Sequence, residues 1–134
     1  MVIDTSAVTA IFLAETERQA FLNAIVQAES RLISAANVLE TGIVLEARRG
    51  EAAGREFDLF VVRAGLQIIP VDAEQVEVAR SAWRRYGKGR HPAGLNFGDC
   101  FAYALAKTSE EALLAKGTDF ATTDIEMYVT AKSK

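Results

Sequence analysis

Short apolar runs alternate with longer amphipathic segments along this chain. The runs have the length and β-branched content of buried strands, and the pattern predicts strands at Met1–Asp4, Arg31–Ser34, Leu66–Val71, Ala112–Ala115 and, as the last one, Met127–Val129. Pro70 places the third strand at an edge of the sheet or at its own end, because proline cannot donate a ladder hydrogen bond.

Between these runs, apolar residues recur at helical spacing. The pattern predicts helices over Ala7–Leu13, Thr16–Ala28, from Ser34 or Asn37 to Gly50, Glu51–Ala64, from Asp72 or Ala73 to Tyr86, and Asp99–Lys107. One long irregular segment, Gly87–Gly98, contains four glycines and Pro92. Helices that alternate with short apolar strands predict an α/β fold, a three-layer α/β/α sandwich with a small, mostly parallel sheet.

Length and composition place the chain among ordinary globular domains. With 134 residues, half of them hydrophobic and a quarter charged, residues 1–134 are expected to form one domain. The single cysteine, Cys100, excludes an internal disulfide and suits a reducing compartment. No apolar run approaches the roughly 18 residues of a membrane span, and the N-terminus lacks a signal segment. We therefore expect a cytoplasmic protein that does not associate with a membrane.

Five acidic side chains stand where a predicted element begins or ends: Asp4, Glu40, Asp99, Asp119 and Asp124. Four of the five are framed by apolar or small residues. A carboxylate among buried neighbours costs several kcal/mol unless a positive charge pairs with it, and these segments contain too few Lys or Arg. A divalent cation satisfies several carboxylate oxygens at once. The pattern therefore indicates metal-assisted chemistry on a phosphodiester.

The predicted topology brings these acids to one edge of the sheet. Functional groups in an open parallel sheet gather beyond the carboxyl ends of the strands. Asp4 ends the first strand, Asp119 follows the fourth, and Asp99 begins a helix. Each acid alone has an ordinary interpretation, as a cap, a solvated helix residue or a turn residue. Their joint placement favours a site.

Net charge and the basic residues leave the nucleic-acid question open. The net charge is −3, but setting four of the 18 acidic residues aside as metal ligands leaves 14 against 15 basic residues. Lys88 and Arg90, in the glycine-rich segment, would suit substrate phosphates or a solvated loop equally well. His91 is the only histidine, which disfavours cleavage by paired imidazoles. Neither a dinucleotide-binding fingerprint nor a phosphate loop occurs, so no nucleotide cofactor is expected.

Four motifs, in order along the chain, resemble those of PIN-domain ribonucleases, in particular the VapC-type toxins of toxin–antitoxin pairs. They are Val2-Ile3-Asp4-Thr5-Ser6-Ala7, Leu39-Glu40-Thr41, Asn96-Phe97-Gly98-Asp99-Cys100-Phe101-Ala102-Tyr103-Ala104-Leu105-Ala106, and Leu113-Leu114-x-Lys116-Gly117-x-Asp119-Phe120. The first motif alone is weak, whereas the four together are specific and span nearly the whole chain.

The resemblance implies a set of site residues. Asp4, Glu40, Asp99 and Asp119 would form a catalytic Mg²⁺ site that also accepts Mn²⁺, and the Ser6 hydroxyl would support it. Gly117 stands where the family often has a threonine. Asp124 would either be a fifth acid near the metal or cap the following segment, and we favour the cap.

The resemblance also implies an activity and partners. The chain would be a Mg²⁺-dependent endoribonuclease that cleaves RNA to a 3′-hydroxyl and a 5′-phosphate. It would form a homodimer and bind a cognate VapB-like antitoxin. Phe12-Leu13, Phe21-Leu22 and Phe57-Phe60 are candidate contacts, and core packing is the expected use for most of these side chains. Two other classes stay open. A non-catalytic partner-binding module would be expected to lack one acid, and a phosphatase with Asp4 as nucleophile would want an aspartate where Ser6 stands.

Overall fold

Residues 1–130 of the computed structural model are described here. The strands are β1 (Val2–Ile3), β2 (Leu32–Ser34), β3 (Gln67–Ile69) and β4 (Leu113–Leu114). The helices are α1 (Thr5–Phe12), α2 (Arg18–Gln27), α3 (Ala35–Arg49), α4 (Glu51–Arg63), α5 (Ala73–Tyr86) and α6 (Phe97–Ser109), followed by a short 3₁₀ helix at Phe120–Thr122.

The four strands form one parallel sheet in the order β3-β2-β1-β4. Val2 of β1 pairs with Leu32 on one side and with Leu113 on the other. The chain therefore steps from β1 outward to β3 and then crosses to the opposite side of β1 for β4. This reversal makes the carboxyl ends of β1 and β4 the switch point of the sheet, which is where open α/β sheets bind their ligands.

Successive strand side chains point to opposite faces of the sheet and create two apolar cores. Ile3 and Leu114 contribute to a core that also contains side chains of α1, α2, α3 and α4, such as Phe57. Val2 and Leu113 contribute to a second core with α5 and α6. The alternation of period two in such short strands thus produces the predicted three-layer α/β/α sandwich.

The predicted strand at Met127–Val129 is wrong. Only Met127 pairs with the sheet, through a single bridge to Leu113. After this bridge the chain makes no further pair with β4, and Val129 is largely exposed. Within residues 1–130, no helix combines the length and apolar character needed to cross a membrane.

Helix starts differ from the sequence predictions by one or two residues where capping side chains determine them. Asp4 caps α1, so that helix begins at Thr5 rather than Ala7. Of the two candidate starts for α3, Ser34 is the N-cap. Asn96 caps α6 and moves its start from Asp99 to Phe97. Polar side chains that accept a hydrogen bond from the first turn define these boundaries.

Candidate metal centre at the switch point

Asp4 lies immediately after β1 and is almost fully buried, with 3% of its surface exposed. Its backbone amide donates to Leu114 O in β4, at 2.9 Å, which fixes the residue between the two strands. Its Oδ2 accepts a hydrogen bond from Ser6 N at 3.0 Å. Burial raises the pKa of the Asp4 carboxyl from 3.8 to about 6, although the Ser6 hydrogen bonds act in the opposite direction.

Asp99 lies in the first turn of α6 and faces the same edge. Its backbone amide donates to Asn96 Oδ1 at 2.9 Å, and its own Oδ2 accepts from Asn96 N at 3.0 Å, which forms a capping box. Burial raises the pKa of the Asp99 carboxyl, the Asn96 amide opposes this, and the negative charges of Glu40 and Asp119 add to the increase.

Glu40 reaches this site from α3, and its carboxylate lies against the start of α6. Asn37 Nδ2 donates to Glu40 Oε1 at 3.2 Å and to Gly98 O at 3.1 Å. A Cβ placed on Gly98 would overlap the Glu40 carboxylate, with Cδ at 2.6 Å. The absence of a side chain at Gly98 therefore lets Glu40 approach the backbone next to Asp99.

Asp119 completes the set from the loop after β4 and is the most exposed of the four. Its charge is near enough to raise the pKa of Asp99, as stated above. Two residues earlier, Gly117 adopts φ +90°, a backbone conformation that L side chains rarely adopt. The glycine that stands where the family often has a threonine thus suits the backbone conformation of this loop.

The four carboxylates are electrostatic neighbours that lack a positive partner. Asp99 and Glu40 both contribute to the raised pKa of Asp4. Among residues 1–130, no Lys, Arg or amino group forms an ion pair with any of the four. A buried acid with acidic neighbours and no counter-charge is destabilised in its ionised form.

The residues fit a divalent cation by their donor chemistry, because hard carboxylate oxygens are the ligands that Mg²⁺ and Mn²⁺ prefer. The side chains are not closed around one point, however. Within the described part of the chain, no three His, Cys, Asp or Glu side chains are positioned to hold one ion together. Glu40 accepts a hydrogen bond from Asn37, and Asp99 accepts one from the Asn96 backbone amide. The four-carboxylate site stays a prediction.

Asp124 belongs to a different cluster. Its carboxylate accepts hydrogen bonds from Tyr103 Oη and from Lys107 Nζ, the latter at 2.7 Å, and Arg85 lies 3.7 Å away. Burial alone would raise the pKa of Asp124, but these donors and charges hold it below its ordinary value. The favoured interpretation of Asp124 as a cap is wrong, because its oxygens bind α5 and α6 side chains instead.

Two further predicted roles concern Ser6 and the basic segment. The Ser6 hydroxyl accepts a hydrogen bond from Lys116 N at 2.9 Å, so it ties the Asp4 turn to the loop that leads to Asp119. Lys88 is exposed, and the Arg90 guanidinium stacks on the Trp83 ring at 4.3 Å. The role of Lys88 and Arg90 in binding phosphates stays a prediction.

Sequence reasoning missed the polar residues beneath the acids. Asn37 and Thr41 are fully buried in α3, on the side that faces α1 and α6. Asn37 precedes Glu40 by three residues, which places the two side chains on one helix face. This three-residue spacing is the feature of the sequence that could have indicated a contact between Asn37 and Glu40.

Comparison with known proteins establishes the family. The family model described as "PIN domain" matches residues 1–126. A Ribonuclease VapC of Mycolicibacterium smegmatis is 53% identical over 125 residues, covering 93% of this chain and 97% of the relative. Ribonuclease VapC30 of Mycobacterium tuberculosis is also 53% identical, covering 93% and 95%. The chain therefore belongs to the PIN-domain family, and the predicted resemblance to VapC ribonucleases is confirmed.

Solved structures agree on the fold. Mycobacterium tuberculosis VapC20, a Sarcin-Ricin loop cleaving toxin, superposes with a TM-score of 0.79 at 17% identity, covering 97% of this chain and 98% of that one. VapBC-1 of nontypeable Haemophilus influenzae gives a TM-score of 0.72 at 14% identity, with 95% of each chain covered. At such low identity the likeness shows a shared fold.

The buried Asp4 predicts a specific pH dependence of stability in metal-free protein. Since the folded pKa of about 6 exceeds the ordinary value of 3.8, the folded state binds more protons between these values. The free energy of unfolding should therefore fall as pH rises from about 4 to about 6, by on the order of 3 kcal/mol. Urea unfolding in EDTA at several pH values measures this. Asp4→Asn should remove that contribution. If Asp4→Asn changed the free energy of unfolding by the same amount at every pH, the raised pKa assigned to Asp4 would be contradicted.

Gly98→Ala should weaken metal binding without unfolding the protein. The added methyl group meets the flexible end of Glu40, which can move, so the melting temperature should change by only a few degrees. The displaced carboxylate should reduce Mn²⁺ affinity by about tenfold or more, measured by calorimetry. Gly42→Ala is the matched control, because a Cβ there meets nothing within 4 Å. Equal Mn²⁺ affinity in both variants would refute the role of Gly98.

Proposed function

We propose that this chain is a Mg²⁺-dependent endoribonuclease that acts as the toxin of a VapBC-type toxin–antitoxin pair. Membership of the PIN-domain family and 53% identity to curated VapC ribonucleases support the ribonuclease class. PIN-domain VapC ribonucleases are generally metal-dependent. The choice of Mg²⁺, with Mn²⁺ as a substitute, follows from the all-oxygen donor set.

The observation that carries the proposal is the buried Asp4 carboxylate. It lies at the switch point of the sheet, its pKa is raised by burial and by two acidic neighbours, and no basic side chain in residues 1–130 pairs with it. Asp4 also caps α1 through Ser6 N, so its carboxylate serves the fold as well. Its oxygens are of the kind that a hard divalent cation prefers.

Each residue has a distinct part in the proposed reaction. Asp4, Glu40, Asp99 and Asp119 hold the ion, and Ser6 keeps the Asp4 turn against the Asp119 loop through Lys116 N. When bound, the ion supplies an activated water for attack on phosphorus and offsets charge that develops on the phosphate. Asp119 is the most solvent-accessible carboxylate of the set and would hold the ion from its open side.

The proposed partners are RNA, an antitoxin and a second copy of the chain. Several structural neighbours are toxin–antitoxin complexes, including one from Klebsiella pneumoniae with a TM-score of 0.68 at 19% identity, covering 92% of each chain. Two of the predicted contact residues, Phe21 and Phe57, are buried in the core instead. Leu39, Ile43 and Phe97 are 66%, 58% and 80% exposed, and such apolar patches support a homodimer through α3 and α6.

RNA cleavage tests this function directly. The wild-type protein with Mg²⁺ should cut total RNA, EDTA should stop it, and Asp4→Asn or Asp99→Asn should slow it by about 100-fold or more, because each variant loses a ligand. Asp58→Asn, on the exposed side of α4, is the control that should keep full activity.

The same assay separates the competing classes. Asp124→Asn should also cleave RNA, since that carboxylate is already neutralised by Lys107 and Arg85. Hydrolysis of p-nitrophenyl phosphate without RNA cleavage would favour the phosphatase instead. Absence of both activities in folded protein would favour the partner-binding module.

A further inference from the structure

Asn37 is fully buried between α3 and α6, beneath the candidate metal centre. Its amide nitrogen donates two hydrogen bonds, to Glu40 Oε1 at 3.2 Å and to Gly98 O at 3.1 Å. A single side chain therefore holds the carboxylate of one proposed ligand and the backbone directly before another, Asp99.

The orientation of this amide is fixed by its surroundings. Both partners of the nitrogen are oxygen atoms, so the reverse orientation would place the Asn37 carbonyl against a carboxylate and another carbonyl. In the observed orientation Asn37 Oδ1 is buried and lacks a hydrogen-bond partner among residues 1–130. An unpaired buried acceptor is unfavourable. The amide is therefore oriented by its two contacts, to Glu40 and to Gly98, although its own oxygen has no partner among residues 1–130.

Asn37 is also connected to the start of α1. Thr5 Oγ1 donates to Asn37 O at 3.4 Å, and Thr41 Oγ1 donates to Thr5 Oγ1 at 3.2 Å. Thr5 follows Asp4 directly. The buried polar chain thus runs from the Asp4 turn through α3 to the first turn of α6, and connects the three elements that carry Asp4, Glu40 and Asp99.

We propose that Asn37 is a positioning residue for the metal centre, which sets the place of the Glu40 carboxylate relative to Asp99. The inference rests on the proposed function, because it assumes that these carboxylates share an ion. Asn37 acts through Glu40 and the Gly98 backbone and needs no contact with the ion itself. Residues that orient metal ligands in this way are typically worth 10–100-fold in metal affinity or activity.

The test compares Asn37→Ala and Asn37→Leu with Thr41→Val in the full chain. Leucine fills the volume of asparagine and removes the unpaired acceptor, so Asn37→Leu should stay folded even where Asn37→Ala does not. Thr41→Val is the matched control, because Thr41 is equally buried in the same helix and its hydroxyl donates to Thr5 and not to the Glu40 carboxylate. Mn²⁺ titration calorimetry and RNA cleavage at increasing Mg²⁺ give two independent measurements.

Both Asn37 variants should bind Mn²⁺ with a dissociation constant raised by roughly 10–100-fold, and high Mg²⁺ should restore most of their RNA cleavage. Thr41→Val should keep wild-type Mn²⁺ affinity to within about twofold. Wild-type affinity in Asn37→Leu would overturn the inference, as would an equal loss in Thr41→Val. If the wild-type protein itself bound no Mn²⁺, the proposed function would fail and this inference with it.

Discussion

The site depends on one constraint: a carboxylate is buried at the carboxyl end of β1, and no positive charge among residues 1–130 pairs with it. Burial of a charged group is costly, and it is tolerated when a partner neutralises it. For Asp4 the neighbours are further acids, which increase the cost. The partly buried Asp124 is different. Its carboxylate accepts a hydrogen bond from Tyr103 and forms ion pairs with Lys107 and Arg85. The two aspartates thus differ in whether a basic side chain of residues 1–130 lies beside the carboxylate, and this contrast is the reason why a metal is proposed for Asp4 and not for Asp124.

The topology of the sheet makes this arrangement possible with very short strands. Because β1 lies between β2 and β4, the turn after β1 faces the start of α3 on one side and the loop after β4 on the other. The first turn of α6 closes the site from the second layer, and its capping box holds Asp99 there. Four segments far apart in sequence thus converge, and the polar chain through Asn37 connects three of them.

The alternation of apolar runs was enough to predict the layers, the sheet and all six helices, because burial on both faces of a parallel sheet demands such runs. It failed at Met127–Val129, where a single bridge to Leu113 forms and Val129 is left exposed. The pattern also predicted that the acids lie at one edge of the sheet. It did not predict how their side chains are oriented. Whether Glu40 turns to Gly98, or Asp124 to Lys107, depends on side chains from other elements. The contacts of Asn37 could not be predicted for the same reason, because they form only when α3 packs against α6.

Crystallography with bound Mn²⁺ tests the central claim most directly. Crystals of the wild-type protein in Mn²⁺ should give an anomalous peak at about 2.1–2.3 Å from carboxylate oxygens of Asp4 and Asp99, with Glu40 or Asp119 turned toward it. Such a peak would mean that the repelling acids close around a shared ion. No peak at this edge of the sheet at saturating Mn²⁺, or one only at the Asp124 cluster, would contradict the account.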